Sequence, residues 1–473
     1  MKKSPEISHV LPFYLFTAGV FLLIVFKDLF SNGMFLDGTI YSDVSKNLAN
    51  GSGTFWNPHF TATCIPDFHE HPPLAIGIQS LFFTLFGETR YVDRIYSLMT
   101  VIISGLIILK IWKTLGYKNG WIPLLIWILT PTVFWASYNN LLENTLTIFT
   151  SLSVLFYLKN HQTGNFFFIP LSGIMLAFGF LTKGFVSFFP WTFPFLLWMF
   201  LKHKSFWKMV TDSGWIILST LVPLLFLITL SPVASESLHK YIDNQVVNSI
   251  RNVVTVDSRF DILKRLIEEI TPAAGLCLVV ILTGRFRKSP VVLEKAVYLK
   301  AFVFLTLVLT GVLPIMISMK QSGFYILPVY PFFSIGTGIL MYPLLNDKML
   351  RTNFESKGFL FFKWFSFGLF AVGILLSIIY SDGYSRDKFK IKDTKTIIEI
   401  IPKGEIINIY PKMYEDWSLH AYYARFKDIS LDPDLHNRRE YLLIKNEYYS
   451  DTLQYNYNPV KLNLQQYQLF KRK

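Results

Sequence analysis

Long blocks of apolar residues, separated by short clusters of charge, constrain this chain more than any other feature of its sequence. A block of about 18 to 20 apolar residues is long enough to cross the hydrocarbon core of a bilayer as one helix. Only 16% of the 473 residues are charged, whereas about 25% is usual for a soluble domain. The pattern predicts an α-helical polytopic membrane protein.

The apolar windows predict about eleven membrane spans. Their approximate bounds are 10–30, 95–113, 121–137, 141–158, 166–181, 185–201, 213–231, 270–284, 296–318, 324–345 and 358–380. The first block has the basic start of a signal peptide, but no small-residue cleavage site follows it. We therefore interpret it as a retained span.

The basic residues between the spans orient the chain in the membrane. Cytoplasmic loops of membrane proteins are enriched in Lys and Arg. If the N-terminus is cytoplasmic, the inner loops hold Lys110, Lys113, Lys118, Lys159, Lys202, Lys204, Lys208, Arg285, Arg287, Lys288, Lys295, Lys348, Arg351 and Lys357. The same rule explains the net charge of +13, so nucleic acid is not expected as a partner.

Three longer segments are then expected to face outward. Two of them, residues 31–94 and 232–269, belong to a predicted transmembrane domain over residues 1–380. The third, residues 381–473, is rich in charge and contains the β-like runs "EIINIY" and "EYLLIKN" around a helical "SLHAYYARF". This tail is predicted to form a small extracytoplasmic α/β domain.

The first outward segment concentrates titratable side chains beside apolar ones. Apolar residues recur at Ile40, Val44 and Leu48, the spacing of one helix face, and Asp37 lies just before them. A carboxylate at a bilayer boundary is a candidate functional group. A carboxylate in a solvated loop, however, requires no special explanation.

The stretch "IPDFHEHPPLAIGI" follows in the same segment. Its Pro-Pro pair fits the first turn of a helix, and the apolar run after it is too short to span, which predicts a helix in the membrane interface. Glu70 and His71 are then expected at the outer edge of the membrane, and His69 is interpreted as a loop histidine. An ordinary solvated loop remains the alternative.

Four motifs carry a resemblance to a known family. They are "LDGTIYSDVSKNLANGSGTFWNPHF", "EHPPLAIGIQSLFFTLFGETRYVDR", "LTKGFVSFFP" and "KQSGFYILPVYPFF", in this order within residues 10–345. The chain resembles GT-C membrane glycosyltransferases of the protein O-mannosyltransferase type, including bacterial lipid A aminoarabinose transferases. The resemblance implies a GT-C fold and a sugar donor carried on polyprenyl (undecaprenyl) phosphate. It further implies a lipid, lipid A, glycan or protein acceptor on the periplasmic face of the cytoplasmic membrane.

The resemblance assigns roles to residues in the first half of the chain. Asp37 matches the catalytic aspartate of the family's first loop, and Tyr41 matches the tyrosine four residues later. His71 stands where many members have a lysine before Pro-Pro. Glu70 matches an acidic residue that helps hold a metal ion in some relatives, so a divalent metal is a candidate cofactor with Glu70 as its candidate ligand. Arg94 matches an arginine that opens the second span.

Other matches and two departures concern later residues and the neighbours of Asp37. Lys183 matches the lysine of a Lys-Gly turn, and Glu143 replaces what is more often an aspartate at the outer start of a span. Gly38 and Ile40 stand where the family commonly has an acidic residue and an arginine. The charged contact to the donor phosphate is then expected from residues elsewhere, and the candidates are Lys320 and Arg251.

Transfer from a polyprenyl-phosphate sugar requires a base for the acceptor and cations for the departing phosphate. We predict that Asp37 is the base of an inverting single displacement and that Glu143 positions the acceptor or orients a cation. The residues expected around the donor phosphate are Tyr41, His71, Arg94, Lys183, Arg251, Lys320 and Tyr325.

Alternatives remain for individual residues and for the whole chain. Arg94 and Lys183 also fit basic side chains that snorkel at span ends, and Tyr325 also fits an interfacial aromatic belt. A lipid-linked sugar transporter or flippase is an alternative function, but it predicts two similar halves with charges at mid-span. A lipid-linked oligosaccharide ligase is another alternative, and so is a non-catalytic scaffold.

Overall fold

A computed structural model describes residues 7–285, 293–449 and 456–473. Its α-helices are α1 (Ile7–Val25), α2 (Leu36–Ala49), α3 (Leu74–Phe86), α4 (Val92–Thr114), α5 (Trp121–Ile128), α6 (Pro131–Ala136), α7 (Leu142–Thr163), α8 (Phe168–Lys183), α9 (Phe193–Leu201), α10 (Phe206–Leu230), α11 (Pro232–Tyr241), α12 (Asn248–Arg251), α13 (Asp261–Arg285), α14 (Lys295–Val312), α15 (Tyr330–Arg351), α16 (Lys357–Ile379), α17 (Lys388–Ile398) and α18 (Trp417–Lys427). A π-helical turn, Ile242–Val247, connects α11 to α12.

Seven helical runs among the described residues are long and apolar enough to cross a membrane. They are Val92–Thr114, Phe168–Leu201, Phe206–Leu230, Asp261–Thr283, Lys295–Ile317, Gly323–Arg351 and Lys357–Ile379. This is a multi-pass membrane protein. The expected interfacial segment is also helical, since it forms α3, a 13-residue apolar helix.

Three predicted spans are not among these seven runs. In place of the span expected over 10–30, the structure has the shorter apolar helix His9–Val25. The span over 121–137 is broken between α5 and α6, where Pro131 starts a new helix. Helix α7 packs against α8 and α4 and carries buried polar side chains along its length. Arg287 and Lys288, two residues of the predicted inner loops, lie outside the described residues.

The 34-residue run Phe168–Leu201 contains two of the predicted spans. The chain reverses within it, because Lys204, after α9, bonds to the Asn160 side chain, which precedes α8, at 2.9 Å. The turn falls at Gly184, where φ is +74° and a Cβ atom would collide with the Tyr241 hydroxyl group. Glycine is therefore required for the turn that ends α8.

The tail contains the two expected strands and the expected helix. Its sheet consists of β1 (Ile406–Ile409), β2 (Ser430–Asp432), β3 (Tyr441–Lys445), β4 (Tyr457–Pro459) and β5 (Tyr467–Arg472). The strand order is β2-β1-β3-β5-β4. Strand β1 runs parallel to β2 and β3, whereas β5 runs antiparallel to β3 and β4. Helix α18 packs between this domain and α2.

Buried charges join α18 to the first outward segment. The Lys46 ammonium of α2 lies 2.6 Å from Asp428 Oδ1 and donates to the Ala424 carbonyl oxygen at 2.6 Å. In the reverse direction, Arg425 of α18 contacts Asp93 at 3.4 Å and donates to the Thr89 carbonyl oxygen. Each cation thus has partners in the other segment, and these contacts hold the tail domain against the first outward segment.

Candidate active site

Asp37 lies in the first turn of α2, where the helix dipole favours a negative charge. The asparagine pair before α7 holds this turn in place. The Phe35 N–H donates to Asn139 Oδ1 at 2.8 Å, and Asn140 Nδ2 donates to the Gly38 carbonyl oxygen at 2.9 Å. Phe35, two positions before Asp37, and Gly38, directly after it, are therefore both held by the segment before α7.

The packing of Gly38 explains why this position differs from the family pattern. A Cβ atom on Gly38 would collide with the carbonyl oxygen of Asn139. The acidic side chain that relatives commonly have here is excluded unless the Asn139 backbone moves. The packing of α2 against Asn139 therefore explains why glycine occupies this position.

Lys183 and Glu143 form a buried ion pair. Lys183 ends α8 and Glu143 lies in the first turn of α7, so each charge sits at the helix end whose dipole favours it. The Lys183 ammonium also lies 5.2 Å from the ring centroid of Tyr325 and 5.6 Å from that of Phe324. Cation–π contacts of this kind stabilise a desolvated ammonium group.

Lys320 supplies a second cation to the same region. Its ammonium donates to Gln245 Oε1 in the π-helical turn at 2.9 Å. Two carboxylates, Asp37 and Glu70, lie close enough to Lys183 and Lys320 for their charges to interact. The structure thus brings together two carboxylates and two ammonium groups that are far apart in the sequence.

Burial governs the protonation of the two loop carboxylates. Desolvation raises the pKa of Asp37 above its ordinary value, and the charges of Lys183 and Lys320 partly offset this rise. Desolvation likewise raises the pKa of Glu70, with a further increase from the negative charge of Asp37. A carboxylate with a raised pKa is a stronger base than an exposed one.

His71 has a different character from the lysine that it replaces. Burial, together with the charges of Lys183 and Lys320, lowers the pKa of His71 well below its ordinary value. The imidazole is therefore neutral at pH 7, and it serves as a hydrogen-bonding group and not as a cation. Its ring centroid lies 5.7 Å from that of Tyr41, and its buried Nδ1 has no hydrogen-bond partner among the described residues.

Tyr41 and Tyr325 complete the cluster. Tyr41 is buried, and desolvation, followed by the nearby charges of Asp37 and Glu143, raises the pKa of its hydroxyl group well above the ordinary value. Tyr325 faces the carboxylates of Glu143, Asp37 and Glu70. The Tyr41 phenol therefore stays protonated, and a phenol hydroxyl group can donate a hydrogen bond to an anionic ligand.

Two residues that were expected at the phosphate lie elsewhere. Arg94 is buried and donates to the carbonyl oxygens of Ser31, Gly33 and Tyr138. Arg94 therefore connects the segment after α1 to the segment before α7. Arg251 is exposed on α12 and lines a separate hollow beside Asp243. The structure does not bring either guanidinium into the Asp37 cluster.

The side chains near Glu70 do not form a set of metal ligands. Across residues 7–285, 293–449 and 456–473, no three His, Cys, Asp or Glu side chains converge closely enough to hold an ion. The carboxylates that face the cluster are instead neutralised by Lys183 and Lys320. The residues present thus do not fit a divalent metal, and no step below uses one.

Comparisons with known proteins agree with this architecture. Residues 70–235 match the sequence profile of the dolichyl-phosphate-mannose-protein mannosyltransferase family. The fold is similar to that of ArnT from Cupriavidus metallidurans bound to undecaprenyl phosphate, with a TM-score of 0.69, 13% identity and 97% of each chain covered. The chain has a GT-C fold. The resemblance stated from the motifs is confirmed.

Two further structures with this GT-C fold are similar. ArnT from the same organism in the apo state gives a TM-score of 0.65 at 14% identity, with 97% of each chain covered. An oligosaccharyltransferase of Archaeoglobus fulgidus tethered to an acceptor peptide gives 0.50 at 12% identity, covering 92% of this chain and 69% of that one. A search of curated protein sequences finds no match.

Sequence reasoning missed several polar residues that shape the GT-C site. Asn139 and Asn140 fix the turn around Asp37, and Gln245 orients the ammonium of Lys320. A signal was present for the asparagine pair, since "YNN" directly precedes the apolar start of α7. Asn140 has φ of +51°, a conformation that asparagine tolerates better than most residues.

Proposed function

We propose that this protein is an integral-membrane glycosyltransferase that moves a sugar from a polyprenyl-phosphate donor to an acceptor, with inversion at the anomeric carbon. The observation that carries the proposal is that Asp37 lies within electrostatic range of both Lys183 and Lys320. A base and two cations in one partly desolvated site meet the needs of this reaction. The likeness to a structure that contains undecaprenyl phosphate supports the donor class.

The reaction is a single displacement. The acceptor oxygen attacks the anomeric carbon of the sugar while its proton passes to the Asp37 carboxylate. The bond between that carbon and the phosphate oxygen breaks, and the electron pair leaves with the polyprenyl phosphate. Lys183 and Lys320 stabilise the charge that develops on the phosphate, and the Tyr325 hydroxyl donates a hydrogen bond to it.

The remaining residues hold these groups. Glu143 keeps the Lys183 ammonium at the end of α8, and neutral His71 packs beside Tyr41 next to the base. The proposal places the site at the outer face of a bacterial cytoplasmic membrane. There the exposed apolar faces of the spans offer a path for the isoprenoid chain of the donor.

The test follows donor cleavage by the full-length protein in membranes. Polyprenyl-phosphate sugar labelled in the sugar is expected to be consumed, with release of polyprenyl phosphate. Asp37→Asn is expected to slow turnover by about 10²–10⁴-fold, the usual contribution of a general base, without loss of undecaprenyl phosphate binding. Asp257→Asn removes an exposed carboxylate of the outer loop and serves as the matched control.

The same experiment separates transfer from transport. A flippase would move the labelled lipid across the bilayer without breaking the bond between sugar and phosphate. Intact donor after complete translocation, or wild-type turnover in Asp37→Asn, would contradict the proposal.

A further inference from the structure

A cavity of about 390 Å³ adjoins the Asp37 cluster. One wall is the loop from Ile65 to Glu70, and the opposite wall is the helical turn that carries Asn244, Gln245 and Asn248. Glu70 and Lys320 belong both to this cavity and to the cluster around Asp37. The cavity is therefore the polar space from which a second substrate reaches the base.

His69 marks this cavity as a binding site. The side chain lines the cavity and is only 7% exposed. Its Nδ1 atom lies 3.2 Å from the Ser237 hydroxyl oxygen, but its buried Nε2 atom has no hydrogen-bond partner within the described part of the chain. A buried polar atom left without a partner costs stability, and a ligand in the cavity would satisfy it.

The lining of the cavity selects against anions. Asp67 and Glu70 contribute two carboxylates, whereas Lys320 is the one cation among the lining residues and already donates to Gln245. A phosphate-bearing acceptor would meet net negative charge here, which is unfavourable. The donor phosphate, by contrast, has Lys183 in addition to Lys320.

The lining also favours hydroxyl groups over peptide side chains. Side-chain amides and carboxylates donate to and accept from hydroxyl groups at fixed positions, and Ile65 is the one aliphatic residue that lines the cavity. Three amide side chains project from one short stretch because a π-helical turn precedes α12, and such turns often occur at functional sites. Seven of the eight lining residues carry a polar side chain, so the cavity offers the hydroxyl groups of a saccharide many hydrogen-bonding partners.

We infer that this cavity binds the acceptor, and that the acceptor is a neutral saccharide whose hydroxyl group is the nucleophile. The inference rests on the proposed function and deepens it by naming the acceptor class. His69 and the amides of Asn244 and Asn248 bind hydroxyl groups of the saccharide. One hydroxyl group then reaches Asp37 past Glu70, loses its proton to that carboxylate and forms an O-glycosidic bond with the transferred sugar.

The stability of the product linkage tests the inference. Membranes with the full-length protein receive donor labelled in the sugar, together with the glycolipid fraction extracted from cells that lack the gene. An O-glycoside survives mild acid, whereas a sugar attached to phosphate is released. We expect acid-stable label in the saccharide fraction.

Two other products would overturn the inference while leaving the proposed function intact. These are acid-labile label, which indicates a phosphate acceptor, and label that precipitates with protein and is released by alkaline elimination. If wild-type membranes consume no donor at all, the proposed function itself fails.

Variants on the exposed wall provide an independent measurement. The double variant Asn244→Ala/Asn248→Ala removes two amides from an exposed helical segment, and it is expected to raise the KM for the glycolipid fraction at least tenfold. Binding of undecaprenyl phosphate is expected to stay within twofold of the wild type. Asp243→Ala, one residue away and lining the neighbouring hollow instead, is the matched control. An unchanged KM in the double variant would contradict the inference.

Discussion

The Lys183 ammonium pairs with the Glu143 carboxylate across two helices while its other side faces the ring of Tyr325 at 5.2 Å. Both charged side chains are almost fully buried, with exposed fractions of 8% and 1%. The lysine is therefore held in one position before any donor arrives. Such preorganisation is what makes a cation effective at a departing phosphate.

Removal of one partner of this pair is expected to destabilise the protein. Glu143→Gln leaves an uncompensated buried ammonium, which costs about 3–5 kcal/mol. The double variant Glu143→Gln/Lys183→Met removes both charges, and we expect it to recover much of the lost stability. Activity is not expected to recover, because the cation is absent. Thermal unfolding in detergent and donor turnover measure the two effects separately.

Lys208→Met is the control for the loss of a lysine that contacts a buried carboxylate outside the site. Turnover at the wild-type rate in the double variant would show that Lys183 has only a structural role. Equal instability of the single and double variants would show that the pair is not energetically coupled.

The acid limb of the pH–rate profile is expected to lie above the ordinary aspartate pKa of about 3.9. Burial raises the pKa of Asp37, so this base becomes protonated, and inactive, at a higher pH than an exposed aspartate. Lys320 opposes this rise. Lys320→Gln is therefore expected to move the acid limb of kcat/KM to still higher pH. Lys264→Gln, at an exposed lysine of α13, should leave the limb in place.

A limb that does not move in Lys320→Gln would show that the titrating base is not coupled to this lysine. A shift to lower pH would have the wrong sign for any carboxylate that Lys320 stabilises in its ionised form. Either outcome would contradict the assignment of Asp37 as the base.

Arg94→Gln separates a structural arginine from a phosphate ligand. Because its guanidinium donates to three backbone carbonyl oxygens, the variant is expected to lower the unfolding temperature. Its affinity for undecaprenyl phosphate should stay within about twofold of the wild type. Lys183→Gln, measured in parallel, should weaken that affinity at least tenfold. An equal loss in both variants would place Arg94 at the phosphate after all.

Asp43 provides a test that depends on pH and stability alone. Burial raises the pKa of Asp43 to about 7, although Lys46 and Arg425 oppose the rise. In the unfolded chain the pKa is about 3.9, so the favourable contribution of this group is present at low pH and is lost as the pH rises towards 7. The unfolding temperature of Asp43→Asn minus that of the wild type is therefore expected to increase from pH 5 to pH 8. A difference that is constant with pH would contradict this assignment.

The sequence predicted the elements of the fold better than their partners. Amphipathic and apolar periods are local, and they indicated α2, α3 and the strands β1 and β3 of the tail before any contact was known. The motifs also led to Asp37, Glu143, Lys183 and Lys320, which the structure places in one charge cluster.

The sequence was least informative where packing decides. Arg94 was predicted at the donor phosphate from its match to a family arginine, whereas its partners in the structure are carbonyl oxygens from loops as many as 63 residues away. Helix α7 was predicted as a span over 141–158, yet it buries many polar side chains inside the bundle. His69 lies in a loop, as predicted, but no local pattern indicates that Ser237 of α11 would enclose it. Contacts over such separations leave no period in the sequence.

The bond from Lys46 to the Arg425 carbonyl oxygen spans 379 residues of chain. The buried partners of Lys46 on α18 are therefore missing from α2 until the tail domain has been synthesised. Premature termination, or proteolysis within the tail domain, would remove the support of the helix that carries Asp37, although every proposed reacting group is still present.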